Sequence, residues 1–448
     1  MHEARIDQNG HALTPEKTPL TVPFPRTVTL PLTLAAFLLI YLIPTELTSG
    51  QVPVGEELPL GLRPRTHDQP KPQSQHRLEQ ESGEKQEREN RAQPQEQRLR
   101  QIVAALAAPE MEGRSGEGAR KAAAYLIDQF RRLKLEPLFG DQFVQEIPAA
   151  EPARFQGRNV AAMLRGSDPT LRGEWVIVSA HYDHLGVQAG KLYPGADDNA
   201  SGVAMMLEVA RVLAGGDQSP RRSLMFIGFD LEEKGLFGSR YFVAHPPVPL
   251  RQVVLFITAD MIGRSLMGLG DCRVFVLGTE HAPGLRSWLV QAARGQPLQI
   301  GLLGSDLLVF NRSDYGPFRS RQIPYLFFST GENPRYHSPD DTPETLDYPK
   351  LTAISQVICR VAATAASEAA VPRWSADPDN SLAEAVTLRD VLRMLHENQK
   401  TLAISQAPRY LISSTLRNVE EIIARGAITQ AERASMIQAA RMILLWIR

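Results

Sequence analysis

The chain has 448 residues, with 49 Lys and Arg against 50 Asp and Glu, a formal net charge of -1 and a hydrophobic fraction of 43%. That length predicts two or three domains, or one large α/β domain with additions, and the apolar content is enough for a sizeable core. The absence of a basic surplus gives no support for nucleic-acid binding.

Residues 1–26 are polar and read as a disordered tail. Thr27 to Thr45 carries no charge, is rich in Leu, Ile and Phe, and is long enough to span a bilayer. Arg26 precedes this run, and Glu46, Glu56 and Glu57 follow it. The positive-inside bias therefore predicts a transmembrane signal anchor, with the N-terminus in the cytoplasm and the rest extracytoplasmic. The competing reading is a cleaved signal peptide and a secreted protein, but no small-x-small cleavage site follows Ile43. Residues 46–98 read as a disordered stalk. Their second half is Gln, Glu, Arg and Lys with too few apolar groups to offset the entropy of ordering.

Residues 99–372 have a different pattern. Gln101–Leu106 and Ala119–Leu133 read as amphipathic helices. Apolar strand-like runs follow at Val160–Leu164, Trp175–Ala180, Leu224–Phe229, Val253–Thr258, Arg273–Leu277 and Tyr325–Ser329, separated by helical stretches. This alternation predicts an α/β sheet covered on both faces. The two cysteines, Cys272 and Cys359, match no metal-finger spacing, and Cys359 is expected as a buried free thiol. Residues 376–448 read as an appended helical subdomain. Pro408 is expected to separate its first two helices, Gly426 to end the second, and Thr429 with Glu432 to cap the third; Ile412, Leu416, Val419 and Ile423 share a face.

The chemistry lies in where acidic and His residues fall. Trp175–Ala180 is followed by His181-Tyr182-Asp183, Leu224–Phe229 by Glu232-Glu233, Val253–Thr258 by Asp260, and Tyr325–Ser329 by a loop carrying Tyr336-His337. The string Gly195-Ala196-Asp197-Asp198-Asn199 opens a helix beginning near Ser201. In open α/β sheets ligands bind beyond the carboxyl ends of strands, so these groups are expected to converge. Imidazole and carboxylate are usual ligands of catalytic zinc, and two metals about 3.5–4 Å apart need a bridging carboxylate. Asp197, short and near a helix N-terminus, is the expected bridge. His181 with Asp260 suits one metal, and Glu233 with His337 the other. Asp183 suits the second N–H of His181. Glu232 then has no metal to hold and suits the general base that deprotonates a water bridged between two ions. There is no His-Glu-x-x-His, no Gly-x-Ser-x-Gly and no Walker-type phosphate loop.

These strings resemble a known family, the co-catalytic zinc exopeptidases of metallopeptidase family 28, which include secreted bacterial leucyl aminopeptidases and glutamate carboxypeptidases. The resemblance rests on His181-Tyr182-Asp183, Gly195 to Gly202, Phe229 to Ser239, Asp260-Met261-Ile262-Gly263, Ser313 to Phe318 and Tyr336 to Thr342. It covers roughly Leu99 to Ala370. It implies a mixed, mostly parallel central sheet flanked by helices, and two zinc ions per chain. The implied ligands are His181, Asp260, Glu233 and His337, with Asp197 bridging. It further implies Glu232 as base, Asp183 orienting His181, and Tyr336 stabilising an oxyanion. His184 departs from the pattern, since relatives often carry a small residue there, and is expected at the rim and not as a ligand. The expected function is a metal-dependent exopeptidase, foremost an aminopeptidase, acting on peptides. The same ligand set would accept cobalt or manganese. The rivals are a single-zinc acyltransferase resembling glutaminyl cyclases, and a catalytically silent ectodomain.

Overall fold

The computed structural model describes residues 92–149, 156–216, 219–304, 311–379 and 382–446. The expected tail 1–26, the apolar run 27–45 and the stalk up to residue 91 lie outside the described residues. Among the described residues no helix is long and apolar enough to cross a membrane. The first described helix starts slightly before the expected boundary at residue 99. A helix spans Glu96–Leu106, and it is tied down by Arg98, whose Nε donates to the buried Glu208 at 2.6 Å.

The strands are β1 Glu136–Pro137, β2 Val144–Ile147, β3 Gly157–Leu164, β4 Trp175–His181, the short pair β5 Val187–Gln188 and β6 Lys191–Leu192, β7 Ser223–Phe229, β8 Val253–Ala259, β9 Arg273–Leu277, β10 Gln299–Leu303 and β11 Tyr325–Ser329. The main sheet has the order β1-β3-β7-β4-β8-β11-β9-β10, with β2 also pairing on β3. Its four central strands, β7, β4, β8 and β11, are mutually parallel, while β3 and β9 run antiparallel to their central neighbours. The sheet is therefore mixed and mostly parallel at its centre. The six expected strands all form. The short β1, β2, β5 and β6 were not expected, nor was β10, whose Gln299–Leu303 lacks a continuous apolar run.

The central strands are buried on both faces, as parallel strands with helices on each side require. Every residue of β4 and β7 is buried. The alternating side chains divide between two cores. Val176, Val178, Leu224, Phe226, Leu255 and Ile257 pack against helices Glu96–Leu106, Glu117–Arg132, Gly202–Ala214 and Tyr348–Ser367. Ile177, Met225, Ile227, Phe229 and Phe256 face the other way, towards Phe242 and Phe318. Helix Gly202–Ala214 is apolar on nearly all sides and almost wholly buried, which holds the loop preceding it rigidly under the sheet edge.

The C-terminal segment forms helices Leu382–Glu397, Gln406–Arg425 and Gln430–Trp446. Gly426 ends the second in the left-handed region (φ +79), and Thr429 and Glu432 form a reciprocal capping box, Glu432 N donating to Thr429 Oγ1 at 3.2 Å and Thr429 N to Glu432 Oε2 at 2.9 Å. Pro408 stands in the first turn of its helix, where its missing N–H has no intrahelical role, and the break falls before Ser405. Leu388, Val391, Leu392, Ile412 and Val419 belong to the same core as Phe275, Leu303 and Phe318. The tail thus covers the second face of the sheet, not only itself. Cys272 is exposed and Cys359 buried, both as free thiols.

Candidate metal centre

The carboxyl ends of the four parallel strands bring the expected groups together. His181 is the last residue of β4, Glu232 and Glu233 follow β7, Asp260 follows β8, and β11 leads into the turn carrying Tyr336 and His337. His181 Nε2 lies 3.3 Å from Asp260 Oδ1 and 3.4 Å from Asp198 Oδ1. His337 Nε2 lies 3.1 Å from Asp198 Oδ2 and 3.2 Å from Glu233 Oε2. The Asp198 carboxylate therefore offers one oxygen to each histidine. The His337 side chain is 34% exposed and that of His181 only 1%, so the site opens to solvent on the His337 side. It floors a cleft of about 70 Å³, whose walls add Arg312, Phe327, Glu332 and Tyr336 to the acidic residues and His337. Tyr336 stacks on His337, ring centroids 3.8 Å apart.

Two sequence expectations do not match this placement. Asp197, the expected bridge, turns its carboxylate away from the histidines. Its Oδ1 accepts from Gly263 N at 2.7 Å and its Oδ2 from Asn333 Nδ2 at 3.2 Å. The reason lies one layer out. The fully buried Asp341 accepts from Asp197 N at 2.8 Å and from Asp198 N at 3.1 Å, which fixes both peptide planes and sends the consecutive side chains in opposite directions. His184, expected at the rim, is buried, with Nδ1 2.9 Å from Glu233 Oε1.

Asp183 does more than face His181. His181 Nδ1 lies 3.3 Å from the Asp183 carbonyl and 3.6 Å from its carboxylate. That carboxylate also accepts from Glu232 N at 3.1 Å and Glu233 N at 3.3 Å, so it ties the end of β4 to the turn after β7.

Sequence reasoning missed Arg114 altogether. It is fully buried, and its Nε donates to Tyr182 O at 2.7 Å, Nη1 to Leu106 O at 2.9 Å and Pro194 O at 2.6 Å, and Nη2 to Gly195 O at 2.7 Å and Asp198 O at 3.2 Å. A guanidinium has five N–H donors, and each has a carbonyl here. Burial lowers the Arg114 pKa to about 10, against the pull of Asp341, Asp198, Asp183 and Glu233, and the group stays cationic at neutral pH. Gly195, at φ +62, makes the close approach possible, since a Cβ there would stand 2.3 Å from Asp198 O and 2.6 Å from Arg114 Nη2. An isolated Arg before a Gly-rich turn carries no sequence signal for this role.

The electrostatics describe a site short of positive charge. Burial pushes Glu232 well above the usual carboxylate range, with Asp260 and Glu233 adding to the effect. Burial opposes a charged His337, yet hydrogen bonds to Asp198 and Glu233 raise it to about 10. Burial likewise pushes Asp314 up to about 7. Buried carboxylates at this density favour a bound cation, which would keep them ionised. The donor set suits zinc. Two ligands about 2.0–2.1 Å from one tetrahedral zinc stand about 3.3 Å apart, and the four His–carboxylate separations above run from 3.1 to 3.4 Å. The donor atoms form two groups, His181 with Glu232 and Asp260, and His184 with Asp198 and Glu233, each within 4.8 Å.

Residues 159–362 match the family described as Peptidase family M28. Aminopeptidase YwaD of Bacillus subtilis (strain 168) is 30% identical over 190 residues, which is 41% of this chain and 39% of that protein. The chain thus spans about two fifths of that relative's length. A glutaminyl-peptide cyclotransferase of Bos taurus is 25% identical over 285 residues, 54% of this chain and 74% of that protein. Among solved structures, LapB from Legionella pneumophila superposes with a TM-score of 0.51 at 21% identity, over 62% of this chain and 73% of that one, a likeness of fold.

Because Arg114 joins the loops that carry His181 and Asp198, Arg114→Met is expected to cost about 3–5 kcal/mol, the scale of breaking a buried charge network. Urea unfolding followed by tryptophan fluorescence measures it. Arg114→Lys is expected to recover little, because one ammonium has three donors for five carbonyls. A lysine variant with the wild-type midpoint would show that the fork geometry is not what holds the loops.

Proposed function

Since residues 159–362 form a peptidase family M28 domain, we propose that this chain is a zinc-dependent exopeptidase that uses two metal ions, with the aminopeptidase activity of the Bacillus relative's name as the first expectation. The observation that carries the two-metal reading is Asp198, whose two oxygens lie near the two different histidines. In this reading Asp198 is the bridge in place of Asp197, His181 and Asp260 complete one site, and Glu233 and His337 complete the other. Bound zinc supplies a Lewis acid for the scissile carbonyl and lowers the pKa of attacking water.

The chain's own residues supply positioning and proton transfer. Glu232 lines the cleft beside His181 and Asp260. Its elevated affinity for protons, set by burial, suits a base that accepts a proton from water and returns it to the leaving amine. Asp183, through the Glu232 and Glu233 amides, holds the base and its neighbouring ligand in register. Burial raises the Tyr336 phenol far above its usual value, so it stays neutral and can donate to a developing oxyanion. Glu332 and Arg312 both line the cleft, and a peptide's terminal ammonium or carboxylate would each meet an opposite charge. A fluorogenic panel of aminoacyl and carboxy-terminal peptides separates these two specificities.

The cyclotransferase relative supports a second reading, a single-zinc acyltransferase. Against it stand two His–carboxylate groups, His181 with Asp260 and His337 with Glu233, with Asp198 near both histidines. Metal analysis of the purified chain decides, with two zinc equivalents expected and one favouring the cyclase. We also propose that residues 99–372 are the catalytic domain, and that 27–45 anchors it to a membrane. Alkaline extraction of cells is expected to leave the full chain in the membrane pellet; its recovery in the soluble fraction would overturn the anchor.

Glu232→Gln keeps shape but removes the proton acceptor. It is expected to lower kcat by about 10²–10⁴-fold with both zinc equivalents retained by atomic absorption. Loss of a zinc would make Glu232 a ligand instead. Asp198→Ala is expected to impair binding of both ions, while Asp197→Ala lowers the unfolding midpoint more than the zinc content. The reverse pattern returns the bridge to Asp197.

A further inference from the structure

We propose that His184 is a positioning residue of the second metal site: its Nδ1–H holds one carboxylate oxygen of Glu233, leaving the other to face the metal. The inference rests on the two-metal reading above.

The two oxygens of Glu233 have separate partners. Oε1 lies 2.9 Å from His184 Nδ1, and Oε2 lies 3.2 Å from His337 Nε2. The His184 contact has the length of a charge-assisted hydrogen bond. The four His–carboxylate pairs expected to hold metal stand further apart, at 3.1–3.4 Å, and the one that involves Glu233 uses its other oxygen, Oε2. His184 Nδ1 is 3.9 Å from Asp198 Oδ2, too far for a second hydrogen bond. A carboxylate only accepts, so the proton of a neutral His184 ring sits on Nδ1. Nε2 is buried and has no hydrogen-bond partner among the described residues, so the ring's polar function is directed at Glu233.

The ring is held in that pose. His184 N donates to Arg114 O at 3.1 Å, and a Cβ on Gly195 would stand 2.6 Å from His184 Cδ2. The Arg114 carbonyl thus fixes the His184 backbone, and the Gly195 turn lies close against its ring. A carboxylate free to rotate can bind a metal through both oxygens and occupy two coordination positions. Pinning one oxygen keeps Glu233 a one-oxygen ligand and leaves a position for water or substrate.

The test is zinc binding by the full chain, read by competition with a chromophoric chelator. His184→Ala is expected to weaken one of the two zinc equivalents by about 10–100-fold, the usual effect of losing a partner that orients a ligand, and to leave the other unchanged. His184→Asn places an amide donor where Nδ1 stood and is expected to restore affinity. His184→Gln places its donor near the Nε2 position and is not. The proposal is overturned by wild-type affinity at both sites in His184→Ala, by an Asn variant no better than Ala (as a direct ligand role predicts), or by equal rescue by Asn and Gln. Loss of both equivalents together with a lowered unfolding midpoint would also overturn it, in favour of a purely structural role. If the wild type binds a single equivalent, the two-metal reading fails, and the Asn and Gln comparison at that one site still decides the role of His184.

Discussion

Negative charge gathered in a buried place is the constraint from which the rest of this site follows. Asp183, Asp198, Glu233 and Asp341 are nearly or fully buried, around the carboxyl ends of four parallel strands, and Glu232 and Asp260 stand with them. Such a cluster does not fold unless each charge has donors or a cation close by. From beneath, Arg114 supplies one buried cation and Arg264 another, the latter 2.7 Å from Asp341 Oδ1. On the cleft side the histidines carry the burden, which is why Asp198 and Glu233 raise His337 so far. The protein neutralises the back of the cluster and leaves its front for a divalent ion.

Neighbouring residues at the strand ends then divide the work between them. Asp341 grips the amides of Asp197 and Asp198, and the side chains part: one braces the Gly263 amide and the Asn333 side chain, and the other enters the site. Asp183 grips the amides of Glu232 and Glu233 in the same way. In both cases a carboxylate from another loop orients a pair of acidic residues through their peptide groups. Asn199 extends the pattern, donating to Ala259 O at 2.9 Å and accepting from Gly202 N at 2.9 Å, so the Asp198 loop is fastened to the end of β8 directly before Asp260. These bonds fasten the loops to the sheet and to one another, and such support is what a preorganised metal site needs.

The strands and the residue types of the site were legible in the chain itself. Buried parallel strands need continuous apolar runs, and a run such as Trp175–His181 leading into Tyr182-Asp183 states both the element and the groups at its end. The capping box at Thr429 and the αL stop at Gly426 were equally legible, because they depend on two or three neighbouring residues. β10 was not, since its pairing with β9 and its cover by helix Leu382–Glu397 are set by tertiary contact and not by its own half-polar pattern.

The sequence by itself determined which kinds of side chain would meet, and at which edge of the sheet, because strand positions and strand ends follow from local apolar pattern. Tertiary structure alone decided which of two adjacent aspartates enters the site, that His184 turns inward onto Glu233, and that an arginine 68 residues before Tyr182 underlies both loops. Each of these choices depends on a hydrogen bond from a distant segment, which fixes a peptide plane or a side chain in one orientation. Such bonds are invisible in the order of residues, since donor and acceptor are adjacent only once the chain has folded.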